Sequence, residues 1–277
     1  MYSRVYVEIT NACNMHCSFC HGHSRRARRM RKDEFASILA ALDGVTDHIY
    51  YHLMGEPLLH PELPLFLRMA KEGGFRSCIT TNGTLLSGCG DALLAAGVHK
   101  VSISLHSFEE GREEDFLRYL ADACDFADTA SKSGTIVVFR LWNRGFDGGR
   151  NREILDFLQR RFDGEWTENT RGLRIRQKLH IEWGDRFAWP DMEASDGGAE
   201  VFCYGLADHF GILADGSVVP CCLDSEGTIT LGNVHETPLS EILSSPRAVA
   251  IREGFASRVA CEGLCRRCGY ATRFRKK

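Results

Sequence analysis

The chain has 277 residues, 44% hydrophobic, 26% charged and 10% aromatic, a globular composition that excludes disordered, collagen-like and coiled-coil chains. The formal net charge of −3 excludes a uniformly basic nucleic-acid binder, and no apolar run approaches the roughly 18 residues that cross a bilayer. The first residues lack the apolar stretch of a secretory signal, so the expected location is the cytoplasm, with no membrane partner.

In chain order, residues 5–9 alternate as a strand, and residues 33–42 place Phe35, Ile38, Leu39 and Leu42 at helical spacing behind Asp33. A strand over 48–53 leads into Gly55-Glu56-Pro57, and a helix over 61–71 follows. Residues 76–80 read as a strand, 91–96 as a short helix, 100–105 as a strand and 113–130 as a long helix. A strand over 135–141, a helix over 152–162 and a sixth strand over 179–183 complete the series. Six strand–helix alternations imply a parallel sheet with covering helices, and the length suits an open, partial barrel better than a closed eight-unit one. Residues 163–198, rich in Gly, Asp, Trp and Arg, give no clear period, and the expected domain boundary lies at 197/198. Beyond it, 209–213 and 217–220 flank Asp215-Gly216 as a β-hairpin. A strand over 228–231, helices over 238–243 and 247–255, and a basic tail from Arg273 follow.

Twelve cysteines in a chain with a real core and no export signal point to metal rather than disulfides. Cys78, Cys89 and Cys124 are isolated and read as small core residues. Cys13, Cys17 and Cys20 follow the first strand directly. Three thiolates on one loop can hold three irons of a [4Fe–4S] cubane and leave the fourth open; a structural zinc completed by His16, His21 or His23 is the alternative.

The company of this triad resembles the radical S-adenosylmethionine (SAM) superfamily. Cys-x3-Cys-x2-Cys with aromatic Phe19 before the third cysteine, Gly55-Glu56-Pro57 after the second strand, Thr80-Thr81-Asn82-Gly83-Thr84 after the third and Ser102-Ile103-Ser104 in the fourth all look like that family's motifs. The family often has a second glycine where Met54 stands. The resemblance implies a partial (β/α)6 TIM-like barrel over residues 1–197, whose cluster binds SAM and yields a 5′-deoxyadenosyl radical that abstracts a hydrogen atom. It implies that the backbone at Gly55-Glu56 meets the SAM amine and that Ser102 and Ser104, on one strand face, approach the ribose. Arg140 on the fifth strand would pair with the SAM carboxylate, and Pro57 and Asn82 would complete the cofactor-binding set, although Asn-Gly is first a turn signal. His106, at the end of the fourth strand, is a candidate for substrate contact or proton transfer.

Towards the C-terminus, Cys203 and Cys221 bracket the hairpin, and Cys265-x2-Cys268 supplies two more thiols. The surrounding string resembles the SPASM/Twitch class of auxiliary-cluster domains, which implies a small α+β domain over 198–277 with one auxiliary [4Fe–4S] cluster. Zinc remains the alternative metal, Cys222 points away from Cys221 on a strand, and Cys261 could replace Cys265. The basic run from Arg25 to Lys32 reads as a solvated loop or a surface for an anionic partner, and the four tryptophans as packing. The expectation is therefore a radical SAM enzyme acting on a peptide or small metabolite by dehydrogenation, epimerisation or cross-linking. Its electron donor would resemble flavodoxin or ferredoxin. The alternative is a non-catalytic metal-binding module for regulation or electron transfer.

Overall fold

The computed structural model describes residues 1–109 and 111–274, so residues 275–277 of the basic tail lie outside the described residues. Eleven strands form one sheet in the order β11-β10-β9-β1-β2-β3-β4-β5-β8-β7-β6. Its centre is parallel: β1 (Arg4–Val7), β2 (His48–Tyr50), β3 (Arg76–Thr81), β4 (Lys100–Ser104), β5 (Ile136–Arg144) and β8 (Leu179–Asp185) pair in sequence. The helices α1 (Lys32–Leu42), α2 (Leu63–Glu72), α3 (Leu86–Ala95), α4 (Glu113–Lys132) and α5 (Arg150–Arg161) make the crossovers between them. The terminal strands β11 and β6 do not pair with each other, so the barrel is open.

Period-two alternation divides the sheet. Val5, Val7, Ile49, Val101, Ile103, Val137 and Phe139 are fully buried in the core that the helices share. The other face carries Tyr6 and Tyr50, paired in register with rings 5.3 Å apart, and continues through Cys78, Ser102, Ser104 and Arg140 into the barrel lumen. In α4, Phe116, Leu120, Ala123, Ala127 and Ala130 make the buried stripe, and three acidic residues in its first turn complement the positive end of the helix dipole.

Four features differ from the pattern read in the sequence. Helix α3 begins at Leu86, because small Ser87, Gly88 and Gly90 hide its period. Residues 163–198 contain an antiparallel ribbon, β6 (Thr167–Asn169) and β7 (Gly172–Arg176), on the edge of β8; β6 is exposed on both faces and so carries no alternation. Residues 228–231 are not a strand, and β11 (Gly232–Asn233) follows them. The C-terminal hairpin, β9 (His209–Ile212) and β10 (Ser217–Val219), is not a scaffold of its own. Strand β9 runs parallel to β1 over four residue pairs, and Phe210, Ile212, Ile251 and Phe255 belong to the same continuous core as Val5 and Ile49. Three helices, α6 (Leu239–Leu243), α7 (Pro246–Ala256) and α8 (Gly263–Arg266), close the chain.

Candidate functional site

The loop from β1 to α1 carries Cys13, Cys17 and Cys20, the first and last exposed and the middle one half-buried. The three thiols lie within electrostatic reach of one another, and burial is the largest cause that pushes Cys17 up to about 11. Two neighbouring imidazoles have structural partners. His23 Nε2 bonds the Asn11 carbonyl at 2.8 Å, and His21 stacks on Trp189.

The Gly55-Glu56-Pro57 turn packs directly on this loop. Glu56 N donates to the Ala12 carbonyl at 2.8 Å, and Gly55 has φ +77° with an added Cβ only 2.4 Å from Thr10 O. The glycine is therefore required by backbone against backbone. The buried Glu56 carboxylate accepts from Asn82 N at 2.7 Å and Leu58 N at 3.0 Å, fixing the turns after β2 and β3 together. Burial raises its pKa to about 7. Asn82 in turn bonds Asn14 of the triad loop through its side-chain amide at 2.9 Å.

On the lumen face, Ser102 is buried and Ser104 half-buried, with Thr80 opposite Ser102 and Arg140 opposite Ser104. The Arg140 guanidinium lies 4.1 Å from the Trp142 ring centre and donates to Thr80 Oγ1 at 3.3 Å. His106 is buried, its Nδ1 is 3.0 Å from the Arg140 carbonyl, and its ring packs 4.7 Å from that of Phe19. Desolvation holds it down to about 4, and so neutral.

Two features went unnoticed in the sequence. Glu8 is fully buried and accepts four bonds: two from Arg25 at 2.8 and 2.7 Å, and one each from Met54 N and Ala214 N at 3.2 Å. One carboxylate thus joins the triad loop, the Gly55 turn and the hairpin. The available signal was a charge placed between Val7 and Ile9. Three arginines of the basic run likewise pair with carboxylates, Arg31 from the surface with its side chain 64% exposed. Arg25 holds Glu8, Arg28 holds Glu34 at 2.5 Å, and Arg31 holds Glu34 and Asp33.

The second thiol group is built by the hairpin and the α8 turn. Cys203, Cys221, Cys265 and Cys268 interact electrostatically with one another, and burial is the largest cause raising each of them. Cys222 packs with Tyr6 against Leu53, Leu213 and Val219, while Cys261 is exposed. Among the described residues, no three Cys, His, Asp or Glu side chains gather tightly enough for a single metal ion. Four thiolates are a donor set common to structural zinc and [4Fe–4S] clusters.

Comparison with known proteins separates these metals. The profile of the radical SAM superfamily matches residues 7–142, and that of an iron–sulfur cluster-binding domain, SPASM, matches residues 203–269. The chain is 29% identical over 232 residues to a GTP 3′,8-cyclase of Chlorobaculum tepidum, covering 76% of this chain and 69% of that protein. The structure of BtrN in complex with AdoMet and 2-DOIA superimposes with a TM-score of 0.62 at 19% identity, covering 97% and 93% of the two chains. Streptococcus suis SuiB bound to its precursor peptide SuiA superimposes with a TM-score of 0.57 at 15% identity, covering 97% and 71%. A non-catalytic metal module does not account for both profiles in this order. The chain belongs to the radical SAM superfamily, as an enzyme with a SAM-binding [4Fe–4S] cluster and an auxiliary iron–sulfur cluster in a C-terminal SPASM domain.

Proposed function

We propose that this enzyme abstracts a hydrogen atom from a peptide or small-metabolite substrate held in the barrel lumen, in the cytoplasm, with an electron from a flavodoxin- or ferredoxin-like donor. Cys13, Cys17 and Cys20 would hold the SAM-binding cluster. The backbone of Gly55, Glu56 and Pro57 would meet the SAM amine, Ser102 and Ser104 the ribose, and Arg140 the carboxylate. Phe19 and Asn82 would shape the rim of this site, and His106 would hold the Arg140 backbone in place. Together the cluster and SAM supply the 5′-deoxyadenosyl radical, the oxidising species of this chemistry.

The observation that carries the substrate reading is a set of buried polar atoms without partners. His52 Nδ1, Arg140 Nε and Trp142 Nε1 make no hydrogen bond, on a face that also carries Lys100. Buried polar groups are normally paired, so this surface suits a ligand with anionic or acceptor groups. The boundary at 197/198 would separate the SAM-binding barrel from the auxiliary domain, which shares its sheet. Cys203, Cys221, Cys265 and Cys268 would ligate every iron of the auxiliary cluster, a saturated shell that suits accepting an electron better than binding substrate.

The test is anaerobic reconstitution and reduction. About eight irons per chain and release of 5′-deoxyadenosine are expected, and addition of substrate should stimulate that release. GTP, named in the relative's activity, and short peptides are the first probes. Trp142→Phe should keep basal release and lose the stimulation. Undiminished stimulation in that variant would remove the lumen from the proposal.

A further inference from the structure

One short segment touches both thiol loops. From the last residue of β8, residues 185–189 cross from the barrel towards the auxiliary centre. On the barrel side, Arg186 bonds Glu109 at 3.1 Å and Ser18 Oγ at 3.4 Å. The Glu109 carboxylate itself accepts from Ser18 N at 2.5 Å and Ser18 Oγ at 2.6 Å. Trp189 Nε1 donates to the Phe19 carbonyl at 2.9 Å, and its ring stacks on His21. Ser18 and Phe19 are the two residues between Cys17 and Cys20, so the strap grips the triad loop between two of its thiols.

The far side is equally built. Gly269 N, next to Cys268, donates to the Ala188 carbonyl at 3.1 Å. The backbones meet so closely that a Cβ on Gly269 would lie 2.6 Å from that oxygen. Phe187 packs edge-on against Tyr270 with centroids 5.0 Å apart and touches Trp189 at 5.4 Å. Arg273 covers both Phe187 and Tyr270 and bonds the Asp185 carbonyl. These contacts form a continuous chain from Phe19 through Trp189 and Phe187 to Tyr270.

We propose that residues 185–189 are a strap that positions the triad loop and ties it to the Cys265–Cys268 loop, so that disturbing one metal site loosens the other. Arg186 and Trp189 act on the triad through Ser18 and Phe19, as positioning residues. Phe187 and Ala188 transmit the position of the auxiliary loop. The strap serves the radical SAM site proposed above, but it is defined by contacts that need no substrate.

Hydrogen exchange on the reconstituted full-length protein tests the coupling. Trp189→Phe keeps a ring and deletes the indole N–H. Phe187→Leu loosens the far side without touching Ser18 or Phe19. Trp189→Phe should speed exchange of amides in residues 13–21 about fivefold, as the loss of one net hydrogen bond implies. Phe187→Leu should speed the same amides about twofold as well as those of 263–274, through the lost aromatic contacts, while β3 and β4 keep their protection in both. The change that added SAM makes in the electron paramagnetic resonance spectrum of the reduced triad cluster should be smaller in both variants. If Phe187→Leu loosens 263–274 and leaves 13–21 unchanged, the coupling is overturned. Unchanged exchange at 13–21 in Trp189→Phe overturns the strap itself. Neither result depends on turnover, so failure here is distinguishable from failure of the substrate proposal.

Discussion

Replacing Glu8 by Gln probes the joint between the three loops that build the site. The native carboxylate is fully buried and accepts four bonds, two of them from Arg25, whose side chain is only 16% exposed. Glutamine keeps the shape but turns one acceptor oxygen into a donor facing an Arg25 N–H and a backbone N–H. Two bonds are lost and a buried guanidinium is left without its counter-charge, a defect of about 3–5 kcal/mol. For a chain of this size that corresponds to a fall in Tm on the order of 10 °C. Thermal unfolding at matched iron content measures it, alongside SAM cleavage, which should fall because Met54 N and the triad loop lose their common anchor. The double variant Glu8→Leu/Arg25→Met leaves no unpaired charge but strands the backbone N–H groups of Met54 and Ala214, at about 1–3 kcal/mol each, so it should be destabilised to a similar extent, by about 2–6 kcal/mol. A Tm within 2 °C of wild type for Glu8→Gln, taken as about 1 kcal/mol or less, would refute the reasoning.

Replacing Cys13, Cys17 and Cys20 together by Ala should abolish 5′-deoxyadenosine release and remove about half the iron, one cluster of two; full cleavage would sink the triad assignment. Replacing Cys203, Cys221, Cys265 and Cys268 should keep SAM cleavage and lose substrate turnover. It should also lower the Tm of the barrel, because β9 belongs to its sheet. Cys222→Ala and Cys261→Ala should each retain both clusters by iron count, and loss of the second cluster in Cys261→Ala would reassign that ligand. Gly55→Ala forces a Cβ into the Thr10–Ala12 backbone at positive φ and should cost about 2–4 kcal/mol with loss of SAM cleavage; wild-type Tm and cleavage would contradict that close approach. Burial depresses His106 from 6.5 to about 4, so the unfolded chain binds an extra proton between these values and stability declines as pH falls through that window. His106→Gln should remove up to about 3 kcal/mol of that decline, read as a shallower dependence of Tm on pH from 6.5 to 4; an unchanged slope refutes the burial argument.

The strands and helices that carry the chemistry were legible because each has a face buried under helices, as Val5, Val7, Val101 and Ile103 show. The spacing of the cysteines was legible, but Cys221 and Cys222 lie in a turn beyond the end of β10 at Val219, so strand alternation does not govern their directions. The ribbon β6–β7 was not, because its exposed residues have nothing to alternate against. The pairing of β9 with β1 was hidden for a different reason: it joins residues far apart in sequence, and no local pattern encodes a partner. Charge runs misled most. Arg25 and Arg28 look like a solvated patch until buried Glu8 and Glu34 draw them in, whereas Arg31 stays exposed at the surface, and Arg186 and Trp189 gain meaning only when Ser18 and Phe19 fold beside them.

The β1–β9 pairing has a consequence for synthesis. Strand β1 is synthesised well before its outer neighbour, which follows roughly two hundred residues later. At translation rates of about 5–20 residues per second, that edge stays uncovered for about 10–40 s. An uncovered edge of this kind is a template for pairing with other chains. The newly made barrel is therefore most exposed to misassembly, and most in need of a chaperone, until residue 212 has emerged.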